Sequence, residues 1–544
     1  MPKIKKSLIV WIFGGLAGLA VFIAFFYQAY PIASIDLRLN KEDAFKSAAI
    51  YIKDKGFDLA GFDHTVIFHS DYYASAYLQK TQGIKKSNEL IAQGIPVWFW
   101  RIRWFKELEK EGFAADVDPS SGKIIKFFHA VLEDAKGDTL RFNEASTIAR
   151  AQVELSARDL KQYELKESGT IEQKNRTDHY FVWEKKDFKI KDATLRIDVD
   201  IYGNGLGRYR EYLKVPEEFY RALSQETSRG AVLAMVSRIL TFLFTIVGIV
   251  VIIVQRTQLQ FYWKMGLVFA CIVALTEITS FFNSIPLAWS FYPDTISKFV
   301  FLTAHFGNSL QIALLYGCMI FAYGVLGEGF SRQLWKTKTP LLDDVLRKDA
   351  SLGRGAAICV VGYCVAFIFL GYVTIFYLVG TKFFNIWMPP DTQYSNILGT
   401  AMPFLFPFTI AVSAAVLEEF TFRLFAVSFF KRVLRYSWVA VLIPAIIWAF
   451  GHAHYEIFPN YARAIELTLF GILLGIVFLK YGLESVIIAH FVIDAVLAGL
   501  PLLRSQRPYY FFSGLAVVAF AFLPVVIFLI MARKSSISVK PFKV

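Results

Sequence analysis

Residues 398–430 read LGTAMPFLFPFTIAVSAAVLEEFTFRLFAVSFF, an apolar run that carries Glu418, Glu419 and Arg423 in its second half. A spanning helix needs about 20 apolar residues, and each ionisable group inside one costs roughly 2.5 to 3.5 kcal/mol on insertion scales. The run is long enough to cross a bilayer, and its charges are read as functional. The rest of the chain agrees: of 544 residues 55% are hydrophobic and 19% charged, with a mean hydropathy of +0.44. Globular domains are about 45 to 50% apolar and about a quarter charged, so a single soluble body is excluded. The expected fold is a multi-pass α-helical membrane protein of about ten transmembrane helices, with an inserted extracytoplasmic α+β domain.

Working outward, Ser7–Tyr30 behind Lys3, Lys5 and Lys6 is a first span; lacking a small-residue cleavage site, it is read as an uncleaved anchor and not a signal peptide. Further apolar segments cover 231–254, 265–282, 299–324, 355–379, 399–430, 438–453, 464–479, 485–500 and 509–532. With both termini inside, the cytoplasmic segments hold 19 Lys and Arg against 5 in the short outer loops, the bias expected of inner loops. Much of the +13 net charge is therefore topological, and nucleic acid is not an expected partner. All four cysteines lie in apolar stretches, which leaves neither a disulfide framework nor a cysteine metal site. The expected division is a 1–30 anchor, a 31–229 extracytoplasmic domain, 230–354 as additional spans with a cytoplasmic loop, and 355–544 as a membrane domain with a basic tail. Localisation follows as the plasma membrane.

Residues 31–229 are polar and carry an internal repeat of roughly a hundred residues. Asp43–Asp58 has helical spacing, Val97–Phe105 reads as a strand and Ala115–Val131 as two strands about a Gly turn. The pattern returns as helical Glu144–Leu160, strand-like His179–Ile190 and a Thr194–Val215 hairpin around Asn204-Gly205, a strong turn signal. The stretch VDPSSGKII resembles the PepSY-type module, which would make the region two PepSY-like repeats; the alternative is an α+β ectodomain of no particular family.

Three clusters can carry chemistry. In Glu418-Glu419-Phe-Thr-Phe-Arg423, Glu419 and Arg423 stand four apart on one helical face and can pair, which leaves Glu418 about 100° around and unspent. In Phe450-Gly-His452-Ala-His454 the histidines are two apart, so only one can face a given site; Phe450 and His454 share a face, which selects His454 and leaves His452 to packing. In His490-Phe-Val-Ile-Asp494 an imidazole and a carboxylate one turn apart can converge on a water, a ligand or a metal. Counted from the inner basic residues, Glu418, His454, His490 and Asp494 fall about 15 to 26 Å up, within the membrane, and can share one buried polar cavity.

Glu-Glu-x-x-x-Arg, Phe-x-x-x-His and His-x-x-x-Asn/Asp, in that order on successive helices, resemble the CPBP (Abi) family, which includes the type II CAAX prenyl endopeptidases. The resemblance covers about 355–532. It implies an intramembrane endopeptidase, of metalloprotease or glutamate type, in which Glu418 and His454 activate a water, His490 and Asp494 stabilise the oxyanion, and Glu419 and Arg423 support them. If a metal such as zinc takes part, His454, His490 and Asp494 are its candidate ligands. Asp494 stands where the CAAX enzymes have Asn, and an ionised Asp cannot donate to an oxyanion; it is either protonated, an orienter of His490, or a metal ligand.

The leading function is hydrolysis of peptide bonds in membrane-associated proteins or peptides, with substrate and lipid as the partners. The competing readings are a non-catalytic sensor or bacteriocin-immunity protein, and a proton-coupled transporter using the buried Glu and His.

Overall fold

The computed structural model describes residues 6–30, 38–156, 159–255, 263–346, 352–388, 397–503 and 505–534. After helix α1 (Lys6–Ala29), residues 41–214 build one eight-stranded antiparallel sheet with helices on one face. In it, α2 (Lys41–Asp54) precedes β1 (Asp63–Ser70), β2 (Trp98–Lys106), β3 (Glu109–Val117) and β4 (Ile124–Ala130), with α3 (Tyr72–Ala92) inserted after β1. Then α4 (Phe142–Leu155) precedes β5 (Tyr163–Glu172), β6 (Thr177–Lys185), β7 (Thr194–Tyr202) and β8 (Gly205–Lys214). The strand order β1-β2-β3-β4-β8-β7-β6-β5 is two four-stranded meanders joined through their last strands, where Phe127 pairs with Tyr209. Each meander follows its own helix, which is the repeat read in the sequence.

Strand β2 shows why the sheet is two-faced. Its period of two sends Trp98, Trp100, Ile102 and Trp104 into the core with Ala44, Ala48 and Ile52 of α2. Arg101 falls on the opposite face, where an ion-pair ladder runs across the sheet: Arg101–Asp116 at 2.8 Å, Arg210–Asp198 at 3.1 Å, Arg208–Asp200 at 3.0 Å and Arg196–Glu184 at 2.9 Å. Burial on this face lowers Lys126 and raises Asp200 from their ordinary titration ranges. The β3–β4 turn closes on Asp118, whose Oδ1 accepts from Ser120 N at 3.0 Å and Ser121 N at 2.7 Å, with Gly122 at φ +75°.

Helix α5 (Glu217–Gln255) starts two residues after β8 and runs unbroken for 39 residues, so 217–229 are helix and not sheet domain. Acidic Glu217 and Glu218 in its first turn suit a helix start. Then come α6 (Trp263–Ser290), α7 (Lys298–Leu334), α8 (Pro340–Leu346), α9 (Leu352–Phe383), α10 (Leu405–Glu418), a π-helical segment Glu419–Val427, α11 (Ser428–Leu434), α12 (Ser437–Gly451), α13 (Tyr461–Tyr481), α14 (Leu483–Leu503), α15 (Pro508–Ala521) and α16 (Leu523–Lys534). Among the described residues seven helices are long and apolar enough to cross a membrane, or eight if the α15–α16 pair, bent by 45°, forms one span. The chain is a membrane protein. Of the other expected spans, 438–453 is the 15-residue α12 and 399–430 contains the π segment.

Helix α1 packs along α9 at close range: a Cβ on Gly18 would lie 2.3 Å from Phe367 O, so only glycine fits there. The sheet domain sits on one end of the helical bundle. Arg103 Nη1 donates to Tyr292 O at 2.6 Å, Thr65 Oγ1 donates to Pro286 O at 2.9 Å, and Arg507 pairs with Asp43 at 2.8 Å.

Candidate active site

Three helices deliver the polar residues. Glu418 closes α10, and the chain turns π-helical from Glu419 through Val427 before α-geometry resumes. Short π segments inside α-helices are frequent at functional sites. Helix α12, kept apolar up to Gly451, presents Trp448 and ends there, so His452 is the capping residue. Helix α14 carries His490 and Asp494 one turn apart.

Adjacent in sequence, Glu418 and Glu419 do different things. Glu419 is 0% exposed and its Oε1 accepts from Arg423 Nη1 at 3.0 Å and from His490 Nδ1 at 2.8 Å. The pairing of Glu419 with Arg423 expected from their spacing is present, and it also holds an imidazole. Glu418 is 22% exposed at its side chain, whereas Glu419 is shut away. Trp448 Nε1–H donates to Glu418 Oε2, and the indole face receives the Arg423 guanidinium 4.4 Å from the ring centre. One tryptophan thus holds both members of the Glu-x-x-x-x-Arg span. His452 Nε2 lies 3.6 Å from Glu418 Oε1, and His490 Nε2 lies 3.8 Å from Glu418 Oε2 and 3.5 Å from Asp494 Oδ2.

The hydrogen bonds fix the ring nitrogens. His452 Nδ1 stands 2.9 Å from Trp448 O, an acceptor only, so Nδ1 carries a proton and Nε2 is the nitrogen turned toward Glu418. By the same logic His490 Nδ1–H donates to Glu419, and Nε2 faces the space between Glu418 and Asp494. Neither 3.6 nor 3.8 Å is a direct hydrogen bond; both are separations that a water or a substrate oxygen bridges.

Glu418, His490 and Asp494 are brought together as the spacing suggested, and His454 is not. Its ring is exposed, its Nδ1 pairs with Gly451 O at 3.0 Å, and it stacks edge-on with Tyr455. His452, assigned to packing in the sequence, stands beside Glu418 instead. The physical reason is that α12 stops at Gly451, so helical periodicity does not carry Phe450 onto His454; the register that survives is Trp448-x-x-x-His452. Trp448 was missed outright, and that spacing was its available signal.

The zinc set read from the sequence, His454, His490 and Asp494, is consequently not assembled. Among the described residues no three His, Cys, Asp or Glu side chains stand where one metal ion could take them all. His490 Nδ1 is committed to Glu419 and Glu418 Oε2 to Trp448. As arranged, the described side chains are not gathered around one metal position.

Over 510 residues, 91% of this chain and 95% of the relative, the chain is 22% identical to the sporulation-killing factor biosynthesis protein SkfC of Bacillus subtilis (strain 168). No solved structure matches it. A family model described as type II CAAX prenyl endopeptidase Rce1-like matches residues 400–496, the segment that holds Glu418, Glu419, Arg423, Trp448, His452, His490 and Asp494. Residues 400–496 are thus similar to the Rce1-like, type II CAAX prenyl endopeptidases.

Proposed function

We propose that this protein is a membrane-embedded endopeptidase of glutamate type that hydrolyses peptide bonds of membrane-associated proteins or peptides. The observation that carries the reading is the partly exposed Glu418 carboxylate, set between His452 Nε2 and His490 Nε2. A water placed between Glu418 Oε1 and His452 Nε2 donates to both acceptors, and its oxygen is then aimed at the scissile carbonyl. Glu418 takes the proton as the new C–O bond forms. His490, protonated at Nε2, faces the developing oxyanion, with Asp494 3.5 Å away to orient it. As the C–N bond breaks, Glu418 returns the proton to the leaving amine. Arg423 and Glu419 fix the tilt of His490 through the 2.8 Å bond to Nδ1.

A relative that takes part in making a sporulation-killing factor favours a peptide precursor over a prenylated protein as the substrate. The topology proposed with this reading has ten spans in the plasma membrane, both termini cytoplasmic and residues 31–229 extracytoplasmic as two PepSY-like repeats. It rests on the bias of Lys and Arg among the loops and on the paired meanders. The protease reading is tested with purified protein and a quenched peptide library: wild type should cleave members that Glu418→Ala leaves intact. Equal turnover by the two would remove the assignment of Glu418 as the base.

A further inference from the structure

Outside the family segment, α5 carries one charge deep in its apolar stretch. Arg238 follows Ala231–Ser237 and precedes seventeen uncharged residues to Gln255, and no ion pair is recorded for it among the described residues. Its neighbour Ser237 is buried, with Oγ donating to Ile447 O at 2.6 Å, and a Cβ on Gly451 would meet that same serine at 3.2 Å. These contacts fix Arg238 at the level of the Trp448–His452 turn. Its side chain is exposed where Ser237 is not.

The direction follows from helix α7. Thr245 and Tyr323 are hydrogen-bonded through their hydroxyls, and Gly248 lies against Leu326 and Phe425, so α5 and α7 touch there and run the same way. Seven residues, about two helical turns, separate Arg238 from Thr245 and Tyr316 from Tyr323. Arg238 and Tyr316 therefore stand above the closed part of the same seam, on the faces the helices turn toward each other. From α6 comes Glu277, whose Oε1 accepts from Ser413 Oγ at 2.5 Å on the helix that ends in Glu418. Arg238 thus stands level with the turn whose Trp448 donates to the proposed base.

Resting on the protease reading, we infer that Arg238 binds a carboxylate of the substrate and so holds the peptide in the seam between α5 and α7 with its scissile bond toward Glu418. A guanidinium in an apolar span is costly, and a planar fork of donors matches a carboxylate in charge and shape. The carboxylate has two possible sources, the free C-terminus of the peptide or an Asp or Glu side chain.

The test uses the full-length protein in detergent and one cleavable quenched sequence in three forms: C-terminal acid, C-terminal amide, and amide with one Glu on the leaving side. Wild type should favour one carboxylate form over the plain amide by about 10- to 100-fold in KM, the worth of a charge-assisted hydrogen bond. Which form wins names the source. Arg238→Gln should erase that preference while leaving kcat on the amide unchanged, and Arg238→Lys should restore part of it. If Arg238→Gln depresses all three forms alike, or the preference survives in it, Arg238 is a snorkelling or structural residue and the inference falls. Should Arg238→Gln not fold, Arg238→Lys decides alone: a weakened preference supports binding and an unchanged one overturns it. Wild type that cleaves none of a full library overturns the protease reading itself, which separates the two failures.

Discussion

Replacing His452 and His454 one at a time separates the geometry from the spacing. His452→Ala removes the nitrogen 3.6 Å from Glu418 Oε1, one of the two groups that would hold the attacking water. Loss of an acid–base group typically costs 10² to 10⁴ in rate, about 2.7 to 5.4 kcal/mol of barrier at 1.36 kcal/mol per tenfold. His454→Ala removes one hydrogen bond from an exposed ring to the Gly451 carbonyl at a helix end that water can satisfy. Surface changes of this kind fall within about ±0.5 kcal/mol, so turnover should stay near that of wild type. The assay is initial rate on a library-derived peptide, with thermal midpoints measured alongside to show that both variants fold. Because Glu418 and His452 act on one water, Glu418→Ala with His452→Ala should be little slower than either alone. The assignment is refuted if His454→Ala loses activity while His452→Ala, equally stable, keeps it.

Glu419→Gln should lower yield and thermal midpoint by an amount equivalent to roughly 3 to 5 kcal/mol, because it leaves a 2%-exposed Arg423 without its counter-charge; normal stability with lost turnover would instead put Glu419 in the chemistry. Asp494→Asn should preserve or raise activity, since an amide can both orient His490 and donate to an oxyanion, and chelators should leave the rate unchanged; abolition by either, with rescue by Zn²⁺, would reinstate a metal. For the topology, a reporter active only in the cytoplasm and fused near Lys174 should stay silent, and a signal would place residues 31–229 on the other side.

Much of this fold is written as hydropathy. Apolar runs locate the long helices but not their more polar ends, since α5 starts at 217 against 231 and α7 ends at 334 against 324, and alternation gives β2 because each of its faces is buried by a different partner. The elements that went unread lack that contrast. β5 is an edge strand whose burial is almost uniformly low, and its Glu164, Lys166, Glu167 and Glu172 protect an open edge without leaving a period of two. α3 is polar along most of its length and is broken by Gly83 at φ +72°, so helical spacing does not persist through it. At the site, periodicity works only while the helix lasts. It pairs Glu419 with Arg423 and His490 with Asp494 correctly, and it fails at His454 because α12 ends at Gly451. The apolar segment 265–282 likewise hid Glu277, which reads as a lone acid until Ser413 of α10 is seen beside it.

The arrangement also shows why structural and catalytic roles cannot be divided at the Glu-Glu pair. Arg423 touches Glu419 and the Trp448 face; Trp448 touches Glu418 with its N–H; Glu419 touches His490, and His490 reaches back toward Glu418. The circuit closes on itself, so the groups that pair with the buried charges also set the angles of Glu418 and His490. Buried ion pairs contribute little net stability when they replace good apolar packing, and packing alone would not require one here. What the buried pair supplies is a fixed direction for two groups that face each other: His490 through its Nδ1 and Glu418 through the indole. Substituting Arg423 should therefore disturb the imidazole and the carboxylate together, although Arg423 itself is buried away from solvent.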